Sequence, residues 1–313
     1  MPEISTPATT RSADALTAAV EAARDAGLEV TDPVILHDAF SVVARLDPSP
    51  VVARVPTVLP TPLRSPEAME LRQRTELAVV RWLSGRGLPV AVPSPLVPEQ
   101  PIRRNGFHIT MWEPVRRPAT EDTPDYIAHY ALIPALHREL REYPETLPFM
   151  AMLEMIPVSL AELADHPELL APDDLARANR EWEILSRRIG SREAFADTFP
   201  GVEVQAIHGD SPPFNLISTE GGQVYSDFED VGCGPVEWDM TMTGPDGVAA
   251  YNAAAVPLGM RRLDEDVLAV MDATRLLQIV ACAVLLPSYP ALAEGLIPIV
   301  DHWRTTTPAA GLT

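Results

Sequence analysis

The chain has 313 residues, 46% of them hydrophobic, and a formal net charge of −20, which is enough apolar material for two lobes with real cores. All 24 basic residues are arginine, so chemistry that needs lysine, such as a Walker-A loop, a Schiff base or a Ser-x-x-Lys hydrolase, is excluded. Residues 1–115 carry 11 arginines against 13 acids and residues 116–313 carry 13 against 31, a field that repels nucleic acid and either draws a cationic small molecule to the second part or serves only to keep the surface soluble.

Taken in order, residues 1–11 read as a polar tail and Ser12–Ala26 as a helix, capped by Ser12 and stopped by Gly27. Val34–Leu36, Ser41–Leu46 and Val51–Val55 follow as three short strands, the last two joined by Asp47-Pro48-Ser49-Pro50, which predicts an antiparallel meander. Arg54 lies inside the third strand, where a charge needs a partner. The next helix, Glu67–Ser84, offers Glu76 on the same stripe as Met69, Val80 and Leu83. A strand around Leu96 and another over Phe107–Trp112 precede Glu113-Pro114-Val115, and the boundary between an N-terminal lobe, 1–115, and a C-terminal lobe, 116–313, is placed there. Asp125–Tyr143 reads as a helix kinked or restarted at Pro134, with His137 a satisfied core or surface residue rather than a ligand. A Pro-broken acidic stretch, 146–170, is followed by a helical stripe of Leu175, Ala178, Trp182, Leu185 and Ile189. Leu263–Leu286 and Leu292–Trp303 close the chain as helices.

The informative stretch is Ile207–Leu216 with Asp227-Phe228-Glu229 beyond it. Leu216–Tyr225 reads as a hairpin through Glu220-Gly221-Gly222, which returns Asp227 beside Asn215, with Asp210 on the loop just before. A hard divalent cation such as Mg2+ takes oxygen ligands and keeps some for phosphate and water, so Asn215 and Asp227 supply its minimum protein set. Asp210 is then free to orient an attacking hydroxyl.

His-Gly-Asp-x-x-x-x-Asn followed by Asp-Phe-Glu resembles the aminoglycoside phosphotransferase and choline kinase superfamily, small-molecule kinases with a protein-kinase-like fold. The resemblance covers about residues 30–290. It implies an α+β bilobal fold with a small antiparallel-sheet N-lobe and a larger helical C-lobe, and transfer of a phosphoryl group from ATP (or GTP) with Mg2+ to a small molecule. Asp210 resembles the catalytic-loop Asp, and Asn215 and Asp227 the metal ligands. Arg54 paired with Glu76 stands where a kinase N-lobe clamps the nucleotide phosphates, Ser41 lies in the phosphate turn, and Trp112 and Glu113 lie where the backbone meets adenine. His208 is expected to brace the loop, and Asp239, opening a helix after Pro235, to hold its backbone. Glu154, Glu162, Asp165 and Glu229 are candidate contacts for a cationic acceptor. Two departures stand out: the turn His37–Ser41 has no glycine, and Ser211-Pro212-Pro213-Phe214 replaces the usual small-His-Pro-Gly.

These departures leave a second reading, a nucleotide-binding module of the pseudokinase kind. A third, a metal-dependent hydrolase on His208 and Asp210, lacks the helical His pairs such sites use. Cys233 and Cys282 have no metal spacing, the N-terminus lacks a signal-peptide pattern, and the longest apolar run, Leu276–Leu286, is short for a bilayer. A cytoplasmic protein without a membrane partner is the expectation.

Overall fold

The computed structural model describes residues 10–118 and 123–313. Helix α1 (Thr10–Asp25) lays Ala15, Ala18, Ala19 and Ala22 on an antiparallel sheet. The sheet holds β1 (Val30–Asp38), β2 (Ser41–Pro48), β3 (Val52–Pro56), β4 (Ile102–Arg104) and β5 (Phe107–Trp112), in the order β1-β2-β3-β5-β4. Methyl side chains on α1 let its axis approach the sheet closely, and Val42, Leu46, Ala53, Val55 and Ile109 fill the layer between. The meander is present, with Val43 opposite Arg54 and Arg54 opposite Thr110, so Arg54 stands on a central strand.

Two local expectations are corrected here. Ser12 lies inside α1, and its hydroxyl donates to Asp38 Oδ2 at 2.5 Å instead of capping the helix. Leu96 lies in a turn between Pro93 and Pro98, prolines that have no N–H to give to a ladder. Helix α2 (Pro66–Gly85) is capped by Ser65, whose Oγ accepts from Ala68 N, and carries the expected buried face of Met69, Glu76, Leu77, Val80 and Leu83. The lower part of that face joins the core of the helical lobe. Helix α3 (Tyr126–Leu140) runs through Pro134 without restarting.

The larger lobe continues with α4 (Met155–Leu163), α5 (Pro172–Ile189) and α6 (Arg192–Thr198). Strand β6 (Gln205–Ile207) pairs with β9 (Gly232–Gly234), while β7 (Leu216–Thr219) and β8 (Gly222–Tyr225) form the expected hairpin. These two ribbons hold the polar loops 208–215 and 226–231 side by side. Asp239 sits within a short 3-10 turn, Val236–Met240, rather than at a helix start. Helix α7 (Gly244–Ala255) packs on α3 and had no sequence signal, since its Gly- and Ala-rich face presents no large apolar stripe. Helix α8 (Glu265–Ala281), with its 3-10 extension to Leu285, is long and apolar enough by length and composition to cross a membrane, contrary to the shorter run visible in sequence. Most of it is buried in the lobe, against Trp238, Trp303 and helix α9 (Leu292–Thr305).

Candidate active site

The two polar loops meet beneath the sheet. Gly209 has φ +88°, and a Cβ there would lie 1.8 Å from the carbonyl oxygen of Asp230, so only glycine lets the two loops touch. Asp227 sits in the left-handed region (φ 64°, ψ 52°), a conformation Asp tolerates better than most residues and one that functional loops favour. Asp239 fixes the first loop from below. Its Oδ2 accepts from His208 N (2.8 Å) and its Oδ1 from Gly209 N (2.9 Å). His137 donates from Nε2 to the same carboxylate (2.9 Å) and accepts the Tyr251 hydroxyl at Nδ1 (2.9 Å). His208 donates from Nε2 to Ser226 O (2.9 Å), tying one loop to the other, and Trp238 donates to Gly209 O (2.7 Å).

On this base Asn215 Nδ2 donates to Asp210 Oδ2 at 3.0 Å. From the sheet above, Arg54 pairs with both Glu76 and Asp227, and lies 3.4 Å from Glu229. Burial works against the Arg54 charge, but Glu76, Glu229 and Asp227 outweigh it and hold the guanidinium above its ordinary value. Asp210, Asn215, Asp227, Arg54 and Glu76 are thus one cluster between the lobes.

Other predicted residues fall outside it. Ser41 begins β2 beside Phe40 and makes no contact with the cluster among the described bonds. Trp112 lies 5.6 Å from the Arg54 guanidinium, measured to its ring centre, and its indole donates to Thr110. Glu113 spends its N–H on Val92 O (2.9 Å), so that amide is not open to a base. Glu154 and Asp165 are exposed and Glu162 half-buried around α4, with no tie to the cluster among the described contacts. Glu229 faces Arg54 (3.4 Å) and Arg72 (3.3 Å), so its carboxylate is turned to the cations of the N-terminal lobe.

Arg72 and Arg275 are the residues that sequence reasoning missed. Arg72 lies one helical turn before Glu76 on α2 and pairs with Asp230, 158 residues away. That i, i+4 spacing was a usable signal. Arg275, on buried α8, stacks on Trp238 at 4.0 Å, donates to Gln278 (2.9 Å) and stands 3.6 Å from Asp210 Oδ1. Its signal was a charge beside the apolar run Leu276–Leu286. Burial alone would raise the Asp210 carboxyl; Arg275, His208 and the Asn215 amide outweigh burial and hold it below the usual range.

Five carboxylates (Glu76, Asp210, Asp227, Glu229, Asp230) therefore face three guanidiniums (Arg54, Arg72, Arg275), a deficit of two positive charges. The deficit is felt at Asp227, whose carboxyl is pushed up to about 6 by burial and by Glu229, against the pull of Arg54. Glu76 Oε1 is buried with no hydrogen-bond partner. Among the described residues no three His, Cys, Asp or Glu side chains enclose a metal ion. The donor set fits a divalent cation all the same: hard oxygens of Asp227 and Asn215, with phosphate and water left to complete the shell. The Asp210 and Asp227 side chains are 45% and 44% exposed, open to a ligand from the cleft.

Comparison with known proteins agrees with this geometry. The family profile described as "Phosphotransferase enzyme family" (APH) matches residues 13–275. No curated protein sequence matches the chain. Among solved structures, the GDP and kanamycin complex of APH(2")-IIia superposes with a TM-score of 0.60 at 14% identity, covering 92% of this chain and 97% of that one. Amicoumacin kinase hAmiN, in complex with AMP-PNP and Ca2+, gives 0.61 at 15%, covering 93% and 94%. Choline kinase LicA from Streptococcus pneumoniae gives 0.60 at 11%, covering 91% and 99%. At such identities the likeness is one of fold, the protein-kinase-like arrangement of a small sheet lobe over a helical one. With the family profile spanning most of its length and the Asp210, Asn215 and Asp227 constellation at its centre, the chain belongs to the phosphotransferase enzyme family.

Proposed function

We propose that this enzyme transfers the γ-phosphoryl group of ATP or GTP to a hydroxyl of an amino- or hydroxyl-rich small molecule, with Mg2+. The observation that carries the reading is the convergence of Asp210, Asn215 and Asp227 beneath the Arg54–Glu76 pair. Nucleotide complexes among the fold's neighbours, one of them with a divalent cation, support the choice of donor.

In this reading Arg54, oriented by Glu76, turns from Asp227 toward the α- and β-phosphates, a bidentate planar donor in place of the usual ammonium. Asp227 and Asn215 would hold the metal, which supplies charge neutralisation on the phosphate oxygens. Asp210, held ionised by Arg275 and aimed by the Asn215 amide, accepts a hydrogen bond from the acceptor hydroxyl and orients it in line. Asp239 keeps the His208–Gly209 backbone from shifting as this happens.

The test is a nucleotide-consumption screen over aminoglycosides, choline-like amines and sugars. Asp210→Asn should bind nucleotide with near-native affinity and lose roughly 10²–10⁴ in kcat. Asp227→Ala should abolish metal-dependent turnover, and unchanged turnover would remove Asp227 from the metal site. The second reading, a nucleotide-binding module without transfer, is favoured by one observation: Arg54 already occupies the Asp227 carboxylate. Nucleotide binding with no acceptor phosphorylated across the screen would select it.

A further inference from the structure

Phe214 is the residue whose presence the proposed chemistry does not explain. It lies between Asp210 and the metal-ligand position Asn215, in the 3-10 turn Pro212–Phe214, and 53% of it is exposed. Its ring stands 4.8 Å from that of Tyr126 and 6.5 Å, edge to face, from that of Tyr130. The turn itself is pinned, since His129 Nδ1 donates to Pro213 O at 2.8 Å. The ring is therefore presented outward on a fixed backbone rather than packed into the core.

Tyr126 (40%) and Ile127 (47%), at the start of α3, continue the exposed apolar surface on one side. On the other, Tyr130 bonds Thr243, and the neighbouring Met242 is 44% exposed. Met242 N donates to Asp272 at 2.7 Å, and Asp272 lines a groove of about 630 Å3 between α7 and α8. Phe214 and Tyr126 thus form an exposed aromatic strip at the catalytic loop, with Ile127 and Met242 exposed beside Tyr126 and Thr243 in the chain. Isolated exposed hydrophobics need no explanation, whereas two packed, exposed rings beside a reactive centre do.

We propose that this strip is a shelf for the acceptor, and that Phe214 and Tyr126 select acceptors carrying an aromatic or otherwise flat apolar group a few bonds from the hydroxyl to be phosphorylated. The inference rests on the reading that Asp210 receives that hydroxyl. Continuity argues for the acceptor as occupant: Phe214 directly precedes Asn215, whose amide bonds Asp210, so a group held on its ring lies close along the loop to that carboxylate. A wholly polar sugar would leave the rings wet and gain nothing from them, while a planar apolar group would cover both by offset or edge-to-face stacking.

The test uses a matched pair of probes, 2-amino-1-phenylethanol and 2-aminoethanol, which share the amine and hydroxyl and differ in the ring. Binding to the full chain is measured by calorimetry with AMP-PNP and Mg2+ present, so the result does not depend on turnover. The aryl probe should bind at least about tenfold more tightly. Phe214→Ser should reduce that preference to within twofold, Tyr126→Ala should reduce it in part, and Phe214→Tyr should keep it, with thermal unfolding confirming that each variant folds. Equal affinity for the two probes, or a preference untouched by Phe214→Ser, overturns the shelf. So does a wild-type dimer that Phe214→Ser converts to monomer in sedimentation, because the strip would then be a contact between copies. Absence of Asp210-dependent transfer across the nucleotide screen would overturn the kinase reading on which the inference rests, and an intact aryl preference tells that failure apart from a failure of the aromatic site itself.

Discussion

Asp227 is asked to be ionised in a place that resists ionisation. Its carboxyl is pushed up to about 6 by burial and by Glu229, so between about 3.9, the unfolded value, and about 6 the folded chain holds a proton that the unfolded chain releases. Stability therefore falls as pH rises through that window. In metal-free protein, Asp227→Asn should raise the melting temperature at pH 8, with the gain vanishing toward pH 4. Because the carboxylate is nearly half exposed and screened by water, the gain should be on the order of 1 kcal/mol at most. The same variant should lose metal-dependent turnover. A Tm unchanged at pH 8 in a chelating buffer would show that Arg54 already satisfies this charge. Gly209 makes a second residue-scale case. With an alanine Cβ placed 1.8 Å from Asp230 O, Gly209→Ala must push the two loops apart, and turnover should drop by more than a hundredfold while overall helicity, read by circular dichroism, persists.

At the scale of elements, the loop of Asp210 is held less by its own residues than by α3, α8 and the 3-10 turn Val236–Met240. Asp239 accepts from His208, Gly209 and His137, all buried, so Asp239→Ala should cost about 2–4 kcal/mol in urea unfolding. Asn at the same position, which keeps an acceptor oxygen, should recover part of it. What sequence could supply follows from separation along the chain. The meander, the α2 stripe with Glu76 and the β7–β8 hairpin are patterns within a few residues, where period and turn chemistry speak directly. The tripeptides around Asp210 and Asp227 were legible because their spacing is itself the motif. His137 bonding Asp239, 102 residues on, and Arg72 bonding Asp230, 158 residues on, were not, since no local pattern encodes which distant carboxylate a buried cation meets. Helix α7 escaped for a different reason: glycine and alanine faces pack closely, as Gly247 does against Tyr130, without leaving a hydrophobic period.

Across the whole molecule, the lower face of α2 shares the helical lobe's apolar core, while at the cleft the sheet and that lobe are tied by ions. Arg54 reaches down to Asp227, and Arg72, on α2, clasps Asp230 and Glu229. Phe40, at the tip of the β1–β2 turn, adds an edge-to-face contact to Tyr289 at 5.6 Å. That turn needs no glycine, because Arg11 on α1 donates to Asp38 (2.7 Å), Ala39 O (3.1 Å) and Thr57 (2.9 Å) and holds its shape from behind. Removing Arg72 would leave two largely buried carboxylates facing each other, so Arg72→Ala should cost about 3 kcal/mol. It should also increase protease sensitivity between the lobes, and nucleotide with Mg2+ should restore part of the loss. Resistance to trypsin equal to wild type would mean that Arg54 and the aromatic contact suffice.

With no lysine in the chain, the proposed phosphate clamp and every other cationic side chain of the site, histidine aside, are guanidiniums. A guanidinium stays protonated at any pH the fold survives and is a poor nucleophile toward activated esters. In the proposed reading, an acylating nucleotide probe that tags an amine beside the bound phosphates would find guanidiniums there and no lysine. A labelling survey that relies on such probes would pass over this enzyme while it was fully active.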